Sequence, residues 1–329
     1  MPEVTTAPRP LTEPDFATLL APLLEQPVHS VDIVKHAVRL YSSIWILEAK
    51  SPSGPVGIVA KYWEDATAFQ RQMRALQIAR SVCSGRKDVD IPYVGCCEQQ
   101  HLLLMRQVHD PTVDQLCRLS FSWPPSANYM RHWKRTLYQA CGEVGRWLRD
   151  WHAATTAVSP VAPLFEAYLA SRPECLKLIT GDERRKLWTL IQSLEPEVTC
   201  VVHGDFTPPN LLWAPGKLTV IDFGLAEWER MTPWWDYVAM RIGLASALRF
   251  SMRSPGRWLP SISRMAAQAF SDGYGDSGAG SRARLACLAV RHLVLHANDL
   301  CNGRAYRKRA QWHKLELQKA LSEASRESR

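Results

Sequence analysis

The spacing of apolar residues divides this chain into a strand-rich first part and a helix-rich remainder. From Val31 to Ala60, β-branched residues and turn signals dominate. Val31–Val38 and Ser43–Ala49 are predicted strands, with Tyr41-Ser42-Ser43 in the turn between them. Ser51–Pro55 is a second turn and Val56–Tyr62 a third strand. Phe69, Met73, Leu76 and Ala79 then recur at helical intervals, which predicts a helix from Ala66 to Cys83. Ile91–Cys97 and His101–Met105 close the small sheet. Ahead of it, residues 1–12 read as a loose arm rich in Pro and Thr, and a short helix begins at Asp15–Leu20 behind Pro14.

Beyond Val108 the pattern is mainly helical. A long helix is predicted over Tyr129–Thr155, and two more over Leu164–Leu194. Trp234–Phe250, Ser261–Tyr274 and Arg282–Cys301 alternate with loops bearing Gly or Pro, of which Asp272–Ser281 is the predicted mobile one. Arg304–Glu327 is a last, basic helix, and no internal repeat is visible.

Between the helices lies a stretch with chemistry. Thr199–Val202 reads as a strand leading into His203-Gly204-Asp205. Thr207-Pro208-Pro209 should stay extended, because a residue before proline is biased away from helix. Leu211–Trp213 and Leu218–Ile221 flank the Pro215-Gly216 turn signal as a hairpin. Asn210 sits at one end of that hairpin and Asp222 at the other, close enough to share one ion. A carboxylate can orient a hydroxyl acceptor, and a side-chain amide with a second carboxylate supplies hard oxygen ligands for Mg²⁺. His-Gly-Asp or Asp-Phe-Gly alone is weak, but an ordinary hairpin has no reason to gather all three side chains.

The residues Val201–Trp213 and Thr219–Trp228 resemble the aminoglycoside phosphotransferase and choline kinase group of the protein-kinase-like superfamily. The resemblance extends over about residues 30–300 and is most specific at 201–236. It implies an α+β, bilobal fold: a small N-terminal lobe with an antiparallel sheet and one helix, and a larger, mainly helical C-terminal lobe. The corresponding division is 1–26 for the arm and short helix, 27–105 for the nucleotide-binding lobe and 106–329 for the catalytic lobe. It further implies ATP and Mg²⁺ as cofactors, with GTP not excluded, and phosphoryl transfer to a small-molecule hydroxyl. Asp205 would be the catalytic base, Asn210 and Asp222 the Mg²⁺ ligands, and Lys61 the residue that reaches the ATP phosphates. Ser42 and Ser43 are candidates for phosphate contact, and backbone groups near Arg106–Val108 for adenine.

The chain departs from the family pattern in places. Gln72 stands where a helix Glu should pair with Lys61; it can hydrogen-bond the ammonium but not balance its charge. Glu64 or Asp65 could substitute, and a pseudokinase that only binds nucleotide is the alternative reading. Arg39–Ser43 holds no glycine to cover the phosphates. Gly204 replaces the Arg of the protein-kinase H-R-D loop, and the short stretch from Gly224 to Asp236 lacks A-P-E; both argue against a protein kinase. Ile221-Asp222-Phe223-Gly224-Leu225-Ala226 nevertheless resembles one, so a peptide substrate stays as a minor alternative. His203 and His152 read as packed histidines bonded to backbone, and Asp236 as the cap of the following helix.

Composition narrows the acceptor. At 46% apolar and 22% charged residues the chain is ordinary globular material, without a secretory leader pattern or an apolar run long enough to span a membrane. Its nine cysteines follow no zinc or disulfide spacing, which suggests reduced thiols and a cytoplasmic protein. The formal charge is +8, and sixteen Lys and Arg against six Asp and Glu from Arg241 onward place +10 in the last part. That balance argues against a polycationic acceptor and for a neutral or anionic hydroxylated metabolite such as a sugar. A cationic acceptor would want an aromatic cage, for which Trp228, Trp234, Trp235 and Trp258 are candidates, with core packing as the alternative. The basic helix Arg304–Lys319 has charge but no nucleic-acid motif.

Overall fold

Strand and helix periods translate into these elements in a computed structural model that describes residues 11–38, 42–120, 127–223, 230–250, 259–276 and 282–327. In chain order they are α1 (Glu13–Leu23), β1 (Ser30–Val38), β2 (Ser42–Ser51), β3 (Gly54–Trp63), α2 (Ala66–Val82), β4 (Val89–Asp90), β5 (Tyr93–Cys97), β6 (Leu102–Arg106), α3 (Val113–Leu119), α4 (Ala127–Ala154), β7 (Ala157–Ser159), α5 (Ala162–Ala170) and α6 (Pro173–Leu176). There follow α7 (Gly181–Gln192), β8 (Glu197–Val201), β9 (Leu211–Ala214), β10 (Lys217–Val220), β11 (Arg230–Met231), α8 (Trp234–Phe250), α9 (Leu259–Tyr274), α10 (Arg282–Cys301) and α11 (Arg307–Glu327). They form two compact units. One runs to Met73 and takes in Pro92–His109; the other is Arg74–Ile91 with Asp110 onward.

The first unit is an antiparallel sheet in the order β1-β2-β3-β6-β5. Alternation puts Trp45, Leu47 and Ala49 of β2 and Ile58 and Ala60 of β3 on one face, where they bury Phe16 and Leu20 of α1. Helix α1 is started by Thr12, whose N–H and hydroxyl both donate to Asp15, at 2.8 and 2.6 Å. The short helix read from sequence within segment 1–26 thus packs Phe16 and Leu20 into this core. Ser42 and Ser43, expected in a turn, are the first residues of β2, opposite Trp63 and Tyr62. Residues 39–41 lie outside the described ones.

The second unit is built around α4. Its Gly142 and Gly145 let α9 approach so closely that a Cβ on Gly145 would come within 2.8 Å of the Tyr274 nitrogen and collide with the Phe270 carbonyl. Two small sheets accompany the helices, β4-β10-β9 and β11-β8-β7. β4 pairs in parallel with β10, so residues 89–90 brace the β9–β10 hairpin. Leu164–Leu194, expected to hold two helices, holds α5, the single turn α6 and α7. The break is at Ser171–Pro173, and α7 restarts on a reciprocal cap between Thr180 and Glu183. Thr207 is extended as its position before proline requires, but Pro208–Asn210 form a 3₁₀ turn rather than extended chain. Proline fits the first turn of a helix, where its missing N–H costs nothing. The loop expected from Asp272 begins inside α9, and residues 277–281 are not described. Among the described residues no helix is long and apolar enough to cross a membrane.

Helices α10 and α11 bury a polar cluster. His292 and His313 face each other at 2.9 Å between their Nδ1 atoms, and the other nitrogen of His313 lies 3.7 Å from Asp299. Burial pushes His292 down to about 4 and His313 down to about 3. Glu316 favours and Lys319 opposes protonation of His292, while His292, Arg309 and His296 oppose that of His313.

Gly145→Ala should force α4 and α9 apart and cost about 1–3 kcal/mol, measurable by urea unfolding. A second expectation concerns acid. An unfolded histidine takes up a proton near pH ~6.5, whereas the folded pair resists until about 4 and about 3. The unfolded chain therefore binds more protons in that window, and stability should fall as pH drops through it. Unfolding free energies across this range should show that slope, and the double variant His292→Leu/His313→Met should flatten it.

Candidate functional site

The centre of the second unit is the loop between β8 and β9. β8 is held at its end by Trp151, whose indole N–H donates to the Val201 carbonyl at 2.7 Å. The next two residues are fastened from α8. The His203 and Gly204 N–H groups donate to the two carboxylate oxygens of Asp236, at 2.6 and 3.0 Å. Gly204 has φ +86°, a left-handed conformation that glycine adopts without a Cβ penalty. Its carbonyl accepts from Arg291 of α10 at 2.9 Å. Both the N–H and the carbonyl of Gly204 are thereby fixed, and Asp205 itself emerges exposed.

Asn210 closes the loop. Its amide nitrogen donates to the carbonyl and to a carboxylate oxygen of Asp205, each at 2.9 Å. The Thr207 hydroxyl lies 3.5 Å from the other carboxylate oxygen. The hairpin register pairs Leu211 with Val220, and the Ile221 N–H donates to the Asn210 carbonyl at 3.0 Å. Asp222, the next residue, is thus delivered beside Asn210. It holds φ +54°, a region that Asp tolerates better than most side chains and that recurs at functional sites.

Aromatic packing aims both acids. Phe206 and Phe223, the residues after Asp205 and Asp222, are fully buried against the His203 ring, at 5.5 and 4.6 Å between centroids. Trp147 stacks on Phe206 and on Trp151, and Trp151 packs against Phe223. With each aromatic ring turned inward, Asp205 is left exposed and Asp222 half-buried. His203 bonds through Nε2 to the Ile221 carbonyl at 3.1 Å, as expected of a packed histidine, and burial pushes its pKa down, so it is neutral. His152 differs from expectation: it bonds Tyr274 at 2.9 Å and faces Asp236 at 3.5 Å, both side chains rather than backbone. Asp236 also differs. It lies inside the first turn of α8, and its carboxylate turns to the loop amides. Burial would raise its pKa, but the hydrogen bond from His152, aided by nearby positive charge including Arg291, holds it below the usual carboxylate range.

The donor set suits Mg²⁺. Because the Asn210 nitrogen is turned to Asp205, its amide oxygen is the atom left for a metal, and Asp222 offers a carboxylate beside it. Among the described residues no group of three or more His, Cys, Asp and Glu could enclose a metal. Two hard protein oxygens match an ion that keeps water and takes phosphate oxygens for its remaining positions.

The other candidates lie in the first unit. Lys61 stands on β3 with its ammonium 4.8 Å from the Trp63 ring centre. Gln72 is 4% exposed in α2. Asp65 accepts from the Thr67 N–H at 2.8 Å as the cap of α2, so it is committed to starting that helix. The Arg106 N–H donates to Pro92 at 2.7 Å and the Gln107 N–H to Gly57 at 2.8 Å. Those two N–H groups are thereby paired within the first unit. Trp235 is buried against Phe165 and Tyr168 with Arg291 4.1 Å over its ring, a core residue rather than a cage wall. Trp228 and Trp258 lie outside the described residues. Sequence reasoning missed Arg291, although an arginine inside the apolar run Leu285–Ala297 was a signal.

Residues 112–275 match the profile of the phosphotransferase enzyme family known as APH. No protein of curated function matches the sequence. Among solved structures, the macrolide 2'-phosphotransferase of Brachybacterium faecium aligns at 15% identity and a TM-score of 0.52, covering 91% of this chain and 97% of its own. Glucosamine kinase in complex with glucosamine, ADP and inorganic phosphate aligns at 16% identity and 0.58, covering 95% and 87%. The streptomycin–ATP complex of APH(2'')-IIa aligns at 13% and 0.53, covering 94% and 97%. These likenesses show the α+β, protein-kinase-like fold.

Asp236→Asn should cost on the order of 2–3 kcal/mol, because one of two charge-assisted amide bonds is lost in a buried site. Hydrogen exchange at His203 and Gly204 should quicken more than at distant core amides. The wild-type contribution of this carboxylate should be present above the ordinary carboxylate pKa and vanish as pH falls through its lowered one.

Proposed function

Through residues 112–275 this chain belongs to the phosphotransferase enzyme family, and we propose that it is an ATP-dependent kinase of small molecules. It transfers the γ-phosphoryl group to a hydroxyl of a sugar-like or other hydroxylated metabolite, neutral or anionic. The observation that carries this reading is the joint held by Asn210: its amide binds the Asp205 carboxylate while its backbone carbonyl fixes the strand that delivers Asp222.

In this reading Asp205 accepts the hydrogen bond of the acceptor hydroxyl and takes its proton late in the transfer. Its exposure gives an acceptor access, and the fixed peptide before it sets the direction of its side chain. Asn210 and Asp222 would hold Mg²⁺, which when bound neutralises charge on the phosphates. Lys61 would supply a further positive charge to them, and Val108 a backbone contact to adenine. Ser42 and Ser43, being strand residues, would reach phosphate only from the start of β2. The solved relatives with bound ATP or ADP support ATP as donor, with GTP as the second nucleotide to test. Nine free cysteines fit a reducing, cytoplasmic setting.

A nucleotide-binding pseudokinase is the second reading, and buried Gln72 is what favours it. The presence of Asp205, Asn210 and Asp222 together weighs against it, since binding alone has no use for a base at Asp205.

Two variants test the assignment. Mg²⁺-ATP at about 100 times its dissociation constant should stabilise the wild type by roughly 2.7 kcal/mol in thermal unfolding, and Asp222→Ala should lose that gain. Asp205→Asn should keep the gain but lose about 10²–10⁴-fold in turnover. Wild-type turnover in Asp205→Asn would sink the proposed base.

A further inference from the structure

A cavity of about 350 Å³ opens beside the catalytic loop, within the second unit. Thr207 and Pro208 form one side, two residues beyond Asp205; α3 contributes Asp114 and Arg118, α8 contributes Ser246, and α11 contributes Arg309. The Thr207 hydroxyl lies 3.5 Å from an Asp205 carboxylate oxygen, so the cavity adjoins the proposed base.

The two arginines are held differently. Arg309 sets its Nε and one terminal nitrogen on the carboxylate of Asp299, with Nε at 2.7 Å and the second bond to the other oxygen. Asp299 is 2% exposed and has the His313–His292 pair behind it. A guanidinium carries five donors in a rigid fork, so this grip on one edge leaves the Nη1 edge for another acceptor. Burying a carboxylate and two neutral histidines is unfavourable unless they have partners. Here that buried cluster fixes a single guanidinium at a cavity wall. Arg118 is different: its side chain is 63% exposed and its link to Asp114, at 2.8 Å, is a surface pair worth little. It can exchange that partner for a ligand. Asp114 is the carboxylate among the residues lining this cavity, and it already faces Arg118. A cationic acceptor would therefore meet two arginines and no uncommitted acid.

We propose that this cavity is a subsite for an anionic group, carboxylate or phosphate, of the acceptor, with Arg309 as its fixed ligand and Arg118 as its adjustable one. The inference rests on the kinase reading and narrows it: the hydroxyl meets Asp205 while the anionic end of the same molecule occupies the cavity.

The test uses the full chain with Mg²⁺-ATP and three matched acceptors, D-glucuronate, D-glucose and D-glucosamine, which differ in charge on one ring scaffold. Phosphorylated product is quantified for wild type, Asp205→Asn, Arg118→Gln and Arg309→Gln. The double variant Arg309→Gln/Asp299→Asn covers the case in which an unpaired Asp299 prevents folding. A charge-assisted bond corresponds to roughly 10–100-fold, so kcat/KM for glucuronate should exceed that of both counterparts by at least about tenfold. The arginine variants should erase this preference mainly through KM. Equal or better use of glucose or glucosamine by the wild type, or an undiminished preference in both arginine variants, would overturn the subsite and leave the kinase standing. Absence of any ATP turnover that depends on Asp205 would overturn the kinase reading and the subsite with it.

Discussion

One buried carboxylate organises the site. Asp236 is fully buried and kept ionised, so every lone pair it carries must find a donor. The donors are the two backbone amides that precede Asp205, with His152 at the side. This explains three features at once. The loop must bend so that consecutive N–H groups converge on one side chain, which requires the left-handed backbone at Gly204. The carbonyl of Gly204 is then turned away, and Arg291 meets it. Asp205, next in line, has no choice of direction and faces solvent. Orphaned, each buried amide would cost about 1–3 kcal/mol, comparable with a large share of a domain's net stability.

The two proposed reacting acids are tied together below the surface rather than through it. His203 lies between Phe206 and Phe223 and also bonds the Ile221 carbonyl, so the loop and the hairpin strand share one buried neutral ring. Any shift of Asp205 relative to Asp222 has to disturb that packing. Interiors resist this, because close-packed rings have few alternative arrangements. The positive φ of Asp222 fits the same logic: strain persists where surroundings over-determine it, and here Phe223 on one side and the Asn210–Ile221 bond on the other do so.

How much of this was legible depends on range. Strands β1 to β3, helix α2, the β9–β10 hairpin and helices α8 and α10 could be read directly, because period and turn chemistry are local properties. Asp205, Asn210 and Asp222 were legible as a set because their spacing reflects one loop and one hairpin. Asp236 was recognised as structural, but its partner was misjudged. A helix-capping rule looks only at neighbours, while its true partners lie 32 and 33 positions earlier. Arg291 is 87 positions from Gly204, beyond any local pattern. The two-residue strand β4 carries no period to detect and exists because β10 offers an edge. Arg106 was read as a possible adenine contact from its chain position alone, and only the fold shows that its amide donates to the Pro92 carbonyl.

The basic last part of the chain acquires a structural meaning from the same contacts. Taken as a sum, +10 suggests an anionic partner spread over a surface. Taken side chain by side chain, part of it is committed within the fold: Arg284 to Asp276, Arg309 to Asp299 and Arg291 to the loop before Asp205. Guanidinium groups suit such places because they stay charged, stack on rings and bond in a fixed fork. α10 therefore links two polar systems, Arg291 reaching the loop before Asp205 while His292 and Asp299 fasten α11. The position of Arg309 beside the loop is set by that same helix, so the proposed acceptor subsite and the posture of the proposed base share one support.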